Sequence, residues 1–271
     1  MLEPPTGAPA SLFERDGPAF VPTRAAAGPW HEGILHGGAV GALLAGLLED
    51  PDQVLVRILI ELVRPVPSVP LDADVAAVDG GRRVVRQAAT LSAGGQVVAR
   101  AHGLRMRRTD LELPDAATEH RVAFDPAQRP DLDRPNRYAA KEVGRESFDS
   151  LAMATRWEDP LPDAPHRRRY WQRLLLPVVP DRPASAIERL VAAADCGAGG
   201  TSARLGFGRW TFMNADLVVS LARPPVGDWV GLECDGYLGA TGTGQSVSTI
   251  HDADGPVGQA SQSILLEARP D

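Results

Sequence analysis

Along the first 34 residues no hydrophobic period emerges: Pro and Gly dominate, and Phe13, Phe20 and Trp30 are scattered apolar anchors. The pattern changes at Leu35-His36-Gly37-Gly38, which leads into an unbroken apolar run from Ala39 to Leu48, closed by Glu49-Asp50-Pro51. A run apolar on every face predicts a buried helix. Its glycines at 41 and 46 weaken intrinsic helix preference but permit close approach of a neighbouring sheet. Polar–apolar alternation, β-branched residues and glycine turns then predict four strands, roughly Val54–Pro65, Asp72–Val78, Arg82–Ser92 and Gln96–Arg107. From Thr109 to Pro165 the pattern dissolves into Pro, Asp, Glu and Arg. This reads as a connecting segment, with Tyr138, Phe148 and Trp157 as anchors. Order resumes at Tyr170–Leu176. A second helix follows from Ala186 to about Ala194, with Ile187, Leu190 and Val191 inward and Asp195 and Gly197 at its stop. Strands near Thr211–Arg223, Trp229–Tyr237, Gly244–His251 and Pro256–Glu267 complete the pattern.

The two halves repeat one layout. Leu62-Val63-Arg64-Pro65 precedes an alternating run and a glycine turn before the closing strand Gln96–His102. Leu221-Ala222-Arg223-Pro224 does the same before Gly258–Gln262. The organisation predicted is a first unit over 1–108, a Pro- and charge-rich linker over 109–165, and a second unit over 166–271. Each unit is one central helix followed by a four-strand antiparallel meander, with extra strand material before the helix. A helix wrapped by a curved antiparallel sheet is the hotdog arrangement, so the predicted class is α+β, a double hotdog with its sheets joined edge to edge. Composition alone does not separate this from another α+β fold.

Composition narrows the function classes. The chain has 271 residues, 44% hydrophobic and 23% charged, ample for buried cores. A net charge of -7 argues against a general nucleic-acid binder, and the short basic pieces Arg105–Arg108 and Arg167–Arg169 read as solvated surface. Two cysteines, Cys196 and Cys234, make neither a disulfide framework nor a metal-ligand spacing, which favours a reducing, cytoplasmic setting. No secretory signal or membrane-spanning run is apparent. A Gly-x-Ser-x-Gly elbow, a phosphate loop and a dinucleotide fingerprint are absent, so no metal, redox group or other cofactor is implied.

The second half resembles the C-terminal half of acyl-CoA thioesterase II, the TesB-like branch of the thioesterases. The resemblance is carried by Asp195 at the helix end, Asn214-Ala215-Asp216 leading into Ser220–Pro225, Asp228-Trp229-Val230, and Ala260-Ser261-Gln262. Asp195 and Gln262 match the family's Asp and Gln. Its Thr position falls on Asn214, and the segment between Asp195 and Asn214 is short. In the first half the matching element is His36-Gly37-Gly38 at the start of the central helix. The second helix, opening Arg182-Pro183-Ala184-Ser185, lacks those glycines.

What the resemblance implies is hydrolysis of an acyl-CoA to free acid and CoA. Asp195 would hold or deprotonate a water, Gln262 would fix the same water, and Asn214 would supply the contact made by Thr. Gly37 and Gly38, at a helix N-terminus with unpaired N–H groups, suit an oxyanion, and His36 would orient the substrate. His102 is read as the first-half counterpart of Gln262. Cys196 invites a nucleophile reading, but no His lies near it in sequence. Two other readings stand beside this one: an enoyl-CoA hydratase or dehydratase using His36 with Asp195, and an acyl-CoA-binding protein without turnover. Acyl-CoA is the expected partner, without nucleic acid or membrane insertion, and association into a homo-oligomer is compatible with such a fold.

Overall fold

The computed structural model describes residues 3–114, 146–158, 166–205 and 209–269. Two short strands, β1 (Phe13–Asp16) and β2 (Ala19–Pro22), form a separate hairpin. The apolar run is helix α1, Gly37–Leu47, begun early by His36 as its N-cap. Then come β3 (Gln53–Glu61), β4 (Asp72–Gly80), β5 (Val84–Ala93) and β6 (Gln96–Arg107). Within the stretch read as a linker, α2 (Phe148–Leu151) and β7 (Met153–Trp157) are formed elements. Tyr138 lies outside the described residues. Next are β8 (Arg168–Leu174), α3 (Ala186–Asp195) and a short α4 (Gly199–Leu205) that the sequence pattern does not predict. The chain finishes with β9 (Trp210–Asn214), β10 (Asp216–Leu221), β11 (Val230–Gly239), β12 (Thr243–Asp252) and β13 (Gly255–Ala268).

Among the described residues eleven strands make one sheet, running β4-β5-β6-β3-β10-β13-β12-β11-β8-β7, with β9 added on β13. The first unit contributes β4-β5-β6-β3 and the second its mirror, β10-β13-β12-β11. They meet at an antiparallel seam from Glu61↔Asp216 to Arg57↔Ser220. This is the double hotdog, joined edge to edge. Its repeat extends to the register: Ile60 pairs with Ala101 as Val219 pairs with Ala260. The Arg-Pro motifs have one purpose in both copies, tying the strand end to the closing hairpin. Arg64 donates to the Val97 carbonyl at 2.7 Å. Arg223 donates to the Gly255 carbonyl at 3.2 Å and grips Asp252 with two bonds of 2.5 and 2.6 Å.

Register also corrects a correspondence. Carried across the repeat, Gln262 is matched by Gly103, and His102 is matched by Ser261. His102 is exposed on the outer face beside Glu61. A β-carbon at Gly103 would meet Leu48 and Leu55, so leucine fills the space that Gln262 occupies in the other copy. Arg105, read as surface, is buried. It donates to the Leu48 carbonyl that ends α1 and pairs with Asp50.

Helices α1 and α3 lie antiparallel across the inside of the sheet. The contacts along the pair run from Gly37 against Asp195, through Gly41 against Val191, to Gly46 against Glu188. The glycines of α1 therefore admit the other helix, with only Gly41 also facing the sheet, at Ile60. With no side chains on this stripe, the backbones approach until the polar groups at each helix end reach the opposite helix.

Candidate active site

At one end of the helix pair the contacts open into a cavity of about 760 Å³, within the ~300–1,000 Å³ span of small-molecule sites. Its inner wall includes Trp157 of β7 and Tyr170, Gln172 and Ser202 of the second unit. Its other side is built by Trp30, Ile34, Arg64 and Phe212, with Arg269. Trp30 meets Phe212 edge-on at 5.4 Å, and Trp157 lies 4.8 Å from Tyr170. Aromatic walls surround a small polar centre, where His36, Gly37, Asp149, Asp195 and Asn214 come together.

Asp195 is that centre. It closes α3 with its side chain only 5% exposed. Asn214 donates to its Oδ1 at 2.7 Å, and His36 Nδ1 stands 3.2 Å from its Oδ2. A β-carbon on Gly37 would lie 2.7 Å from both carboxylate oxygens, so the carboxylate rests on the bare backbone where α1 begins. The first N–H groups of a helix have no partner four residues back, and the positive end of the helix dipole favours this anion. Asn214 is aimed by a kink. The strand predicted over Thr211–Arg223 breaks at Ala215 into β9 and β10, and its pairing with β13 slips by one residue there. Such a slip redirects a side chain.

Gln262 and Gly38 occupy different places from those expected. Gln262 is buried but does not line the cavity. Its Nε2 donates to the main-chain carbonyl of Asp195 at 2.7 Å, so it anchors the last turn of α3 from behind. Gly38 packs against Ala192 and Phe148, and its N–H donates to His36 Nδ1 at 2.9 Å. Of the pair, Gly37 and not Gly38 lines the cavity.

Asp149 is a site residue that the sequence does not signal, because no periodicity surrounds it. It sits on α2, and its Oδ2 lies 3.6 Å from His36 Nε2. Burial alone would lower the pKa of His36. The Asp149 charge, then the contact and charge of Asp195, outweigh it and hold the imidazole above its ordinary value. Cys196 lies just beyond. Burial and the charges of Asp149 and Asp195 push its thiol well above the usual range, and its Sγ is 3.7 Å from the Ala192 carbonyl. A thiol so held is a poor nucleophile. Among the described residues His36, Asp149 and Cys196 offer ligand atoms within 4.8 Å of one another.

Known proteins share this architecture. The profile of the acyl-CoA thioesterase N-terminal domain matches residues 26–106, and that of the C-terminal domain matches 115–266. No match is found among curated proteins. Among solved structures, a putative thioesterase from Novosphingobium aromaticivorans is 20% identical with a TM-score of 0.72, over 94% of this chain and 98% of that one. A hot dog protein of unknown function from Alicyclobacillus acidocaldarius is 14% identical, TM-score 0.67, over 96% and 97%. The acyl-CoA thioesterase II TesB2 of Mycobacterium marinum is 16% identical, TM-score 0.62, over 86% and 90%. At these identities the structures speak for the fold. Among the described residues no helix is long and apolar enough to cross a membrane.

Proposed function

The chain belongs to the acyl-CoA thioesterase family, and from that premise we propose that it hydrolyses an acyl-CoA thioester to the free acid and CoA at the Asp195 cavity. The observation that carries this reading is the buried Asp195 carboxylate lying on Gly37 at the start of the opposite helix. A base and a backbone donor, one from each half, face the same space.

In this mechanism a water beside Asp195 gives up a proton to the carboxylate as its oxygen bonds the thioester carbonyl carbon. The carbonyl oxygen becomes an oxyanion at the Gly37 N–H, where the helix dipole favours negative charge. Collapse breaks the C–S bond, and the departing thiolate takes up the proton. Asn214 fixes the carboxylate through Oδ1, and the water's proton goes to Oδ2, the oxygen that His36 Nδ1 approaches at 3.2 Å. Gln262 holds the backbone of Asp195 in place.

In Asp195→Asn, release of free CoA from acyl-CoA substrates should fall by about 10²- to 10⁴-fold with the fold retained. Undiminished release would remove the proposal. His36 of the first unit and Asp195 of the second, 3.2 Å apart, also supply the His and Asp that the hydration reading takes from different units. Measuring enoyl-CoA hydration beside thiol release separates the two.

A further inference from the structure

His36 faces two partners with one nitrogen. Its Nδ1 accepts the Gly38 N–H at 2.9 Å and also stands 3.2 Å from Asp195 Oδ2. An unprotonated Nδ1 can accept from Gly38, and a protonated one can donate to Asp195, but one atom cannot do both. Which state holds depends on where the other ring proton sits, and Asp149 faces that other nitrogen at 3.6 Å.

The placement of Asp149 is built. Successive carbonyls of one turn hold both partners: Ala26 accepts from the His36 N–H at 2.9 Å, and Ala27 from the Phe148 N–H at 2.8 Å. Phe148 is fully buried, and its ring stacks on the imidazole with centroids 4.6 Å apart. Ser150 accepts from the Ser147 N–H and so closes the start of α2. The ring is thereby fixed in plane and depth, and the next residue of α2 presents its carboxylate to Nε2.

We propose that Asp149 is a positioning residue which keeps the fixed proton of His36 on Nε2, so that Nδ1 takes the water-derived proton from Asp195 and in doing so releases the Gly38 N–H. The second half of this rests on the thioesterase reading. As water adds to the carbonyl, its proton passes through Asp195 to Nδ1, and the imidazolium lies between two carboxylates. When the C–S bond breaks, the proton leaves Nδ1 for the thiolate and the Gly38 bond reforms. The titratable groups facing the ring are Asp149 from α2, Asp195 from α3, and the Cys196 thiol, which stays protonated. Burial opposes a charged ring, and of the influences that favour one the Asp149 carboxylate is the strongest, as this role requires.

The test uses the full chain with ¹⁵N-labelled histidine, following the His36 nitrogens by NMR from about pH 5 to about pH 9, a range that brackets an ordinary imidazole. In the unaltered protein the neutral ring should carry its proton on Nε2. Finding it on Nδ1 overturns the proposal without any variant. In Asp149→Asn the His36 midpoint should fall by about one pH unit, since an opposite charge at this range shifts a pKa by ~1–3. The acid limb of kcat/KM should move down with it, because Nδ1 must be free to accept a proton. Asp149→Glu, which restores the carboxylate, should recover the midpoint. An unmoved midpoint in Asp149→Asn overturns the proposal, whereas a merely structural role would lower kcat without moving the limb. If no acyl-CoA is hydrolysed by any of these proteins, the reaction is wrong, and the NMR titration still decides what Asp149 does to His36.

Discussion

Gly37 serves two purposes that no other residue could combine. It begins a helix, where its N–H has no internal partner, and it leaves the space in which the Asp195 carboxylate rests. Its backbone is ordinary helix, so alanine is conformationally acceptable, but the added methyl would lie 2.7 Å from both carboxylate oxygens. Gly37→Ala should therefore reduce kcat by about 100-fold, the scale of loss for an ångström of misplacement. Its thermal midpoint should fall by only a few degrees. CoA release and thermal melting of the same sample would check both; near-normal kcat would mean that the carboxylate position is not critical. The sequence alone flags Gly37, Gly38 and Asp195 but not how they divide the work. One N–H of the pair is bound by His36 and the other is not, because the N-cap residue is itself a hydrogen-bond acceptor.

The two long helices differ in what they do at their ends: among the described residues one end of the pair opens into a cavity and the other is filled. Where α1 starts and α3 stops, His36, Gly37 and Asp195 line a cavity. At the opposite end the same crossing is filled. Glu188, with no side-chain exposure, sits on Gly46, accepts from the Ser185 N–H at 2.8 Å, and is held by two bonds from Arg182. Glu49 lies alongside, its pKa raised chiefly by burial. Gly46→Ala should consequently destabilise the protein, although an exposed helical Gly→Ala would gain about 1 kcal/mol. The new methyl would collide with a carboxylate that Arg182 and Ser185 prevent from moving. Chemical denaturation would read the sign, and a gain in stability would refute this account. Helix and strand positions are legible in the sequence because hydrophobic period reports burial directly. The partner of the glycine stripe is not, since a gap fits a helix or a sheet equally well. The same holds for Gln262, whose contact with a carbonyl rather than a carboxylate depends on register and not on residue type.

For the molecule as a whole, the perturbed acids and His36 bias stability toward mild acidity. Burial would raise the pKa of Asp252, but the Arg223 grip outweighs it and holds it below its ordinary 3.8. That stability is present above 3.8 and is lost as pH falls through the lower folded value. His36 is raised above 6.5, so its contribution is present below 6.5 and is lost as pH rises through the folded value. Glu49, raised above 4.5, also binds its proton more tightly when folded and works in the same direction as His36. The unfolding free energy should peak between pH 3.8 and 6.5 and decline toward alkaline pH. A flat profile from about pH 6 to about pH 9 would contradict the assignment for His36. The β3–β10 seam has a consequence of another kind. A dimer of identical single units is bound by two-fold symmetry, so a substitution that plugs one cleft plugs both. Tandem duplication in one chain removes that constraint. Arg182 and Glu188 can be set into one cleft as structural filling while Asp195 keeps the other open, and each copy is free to accept changes that would be lethal to a symmetric ancestor.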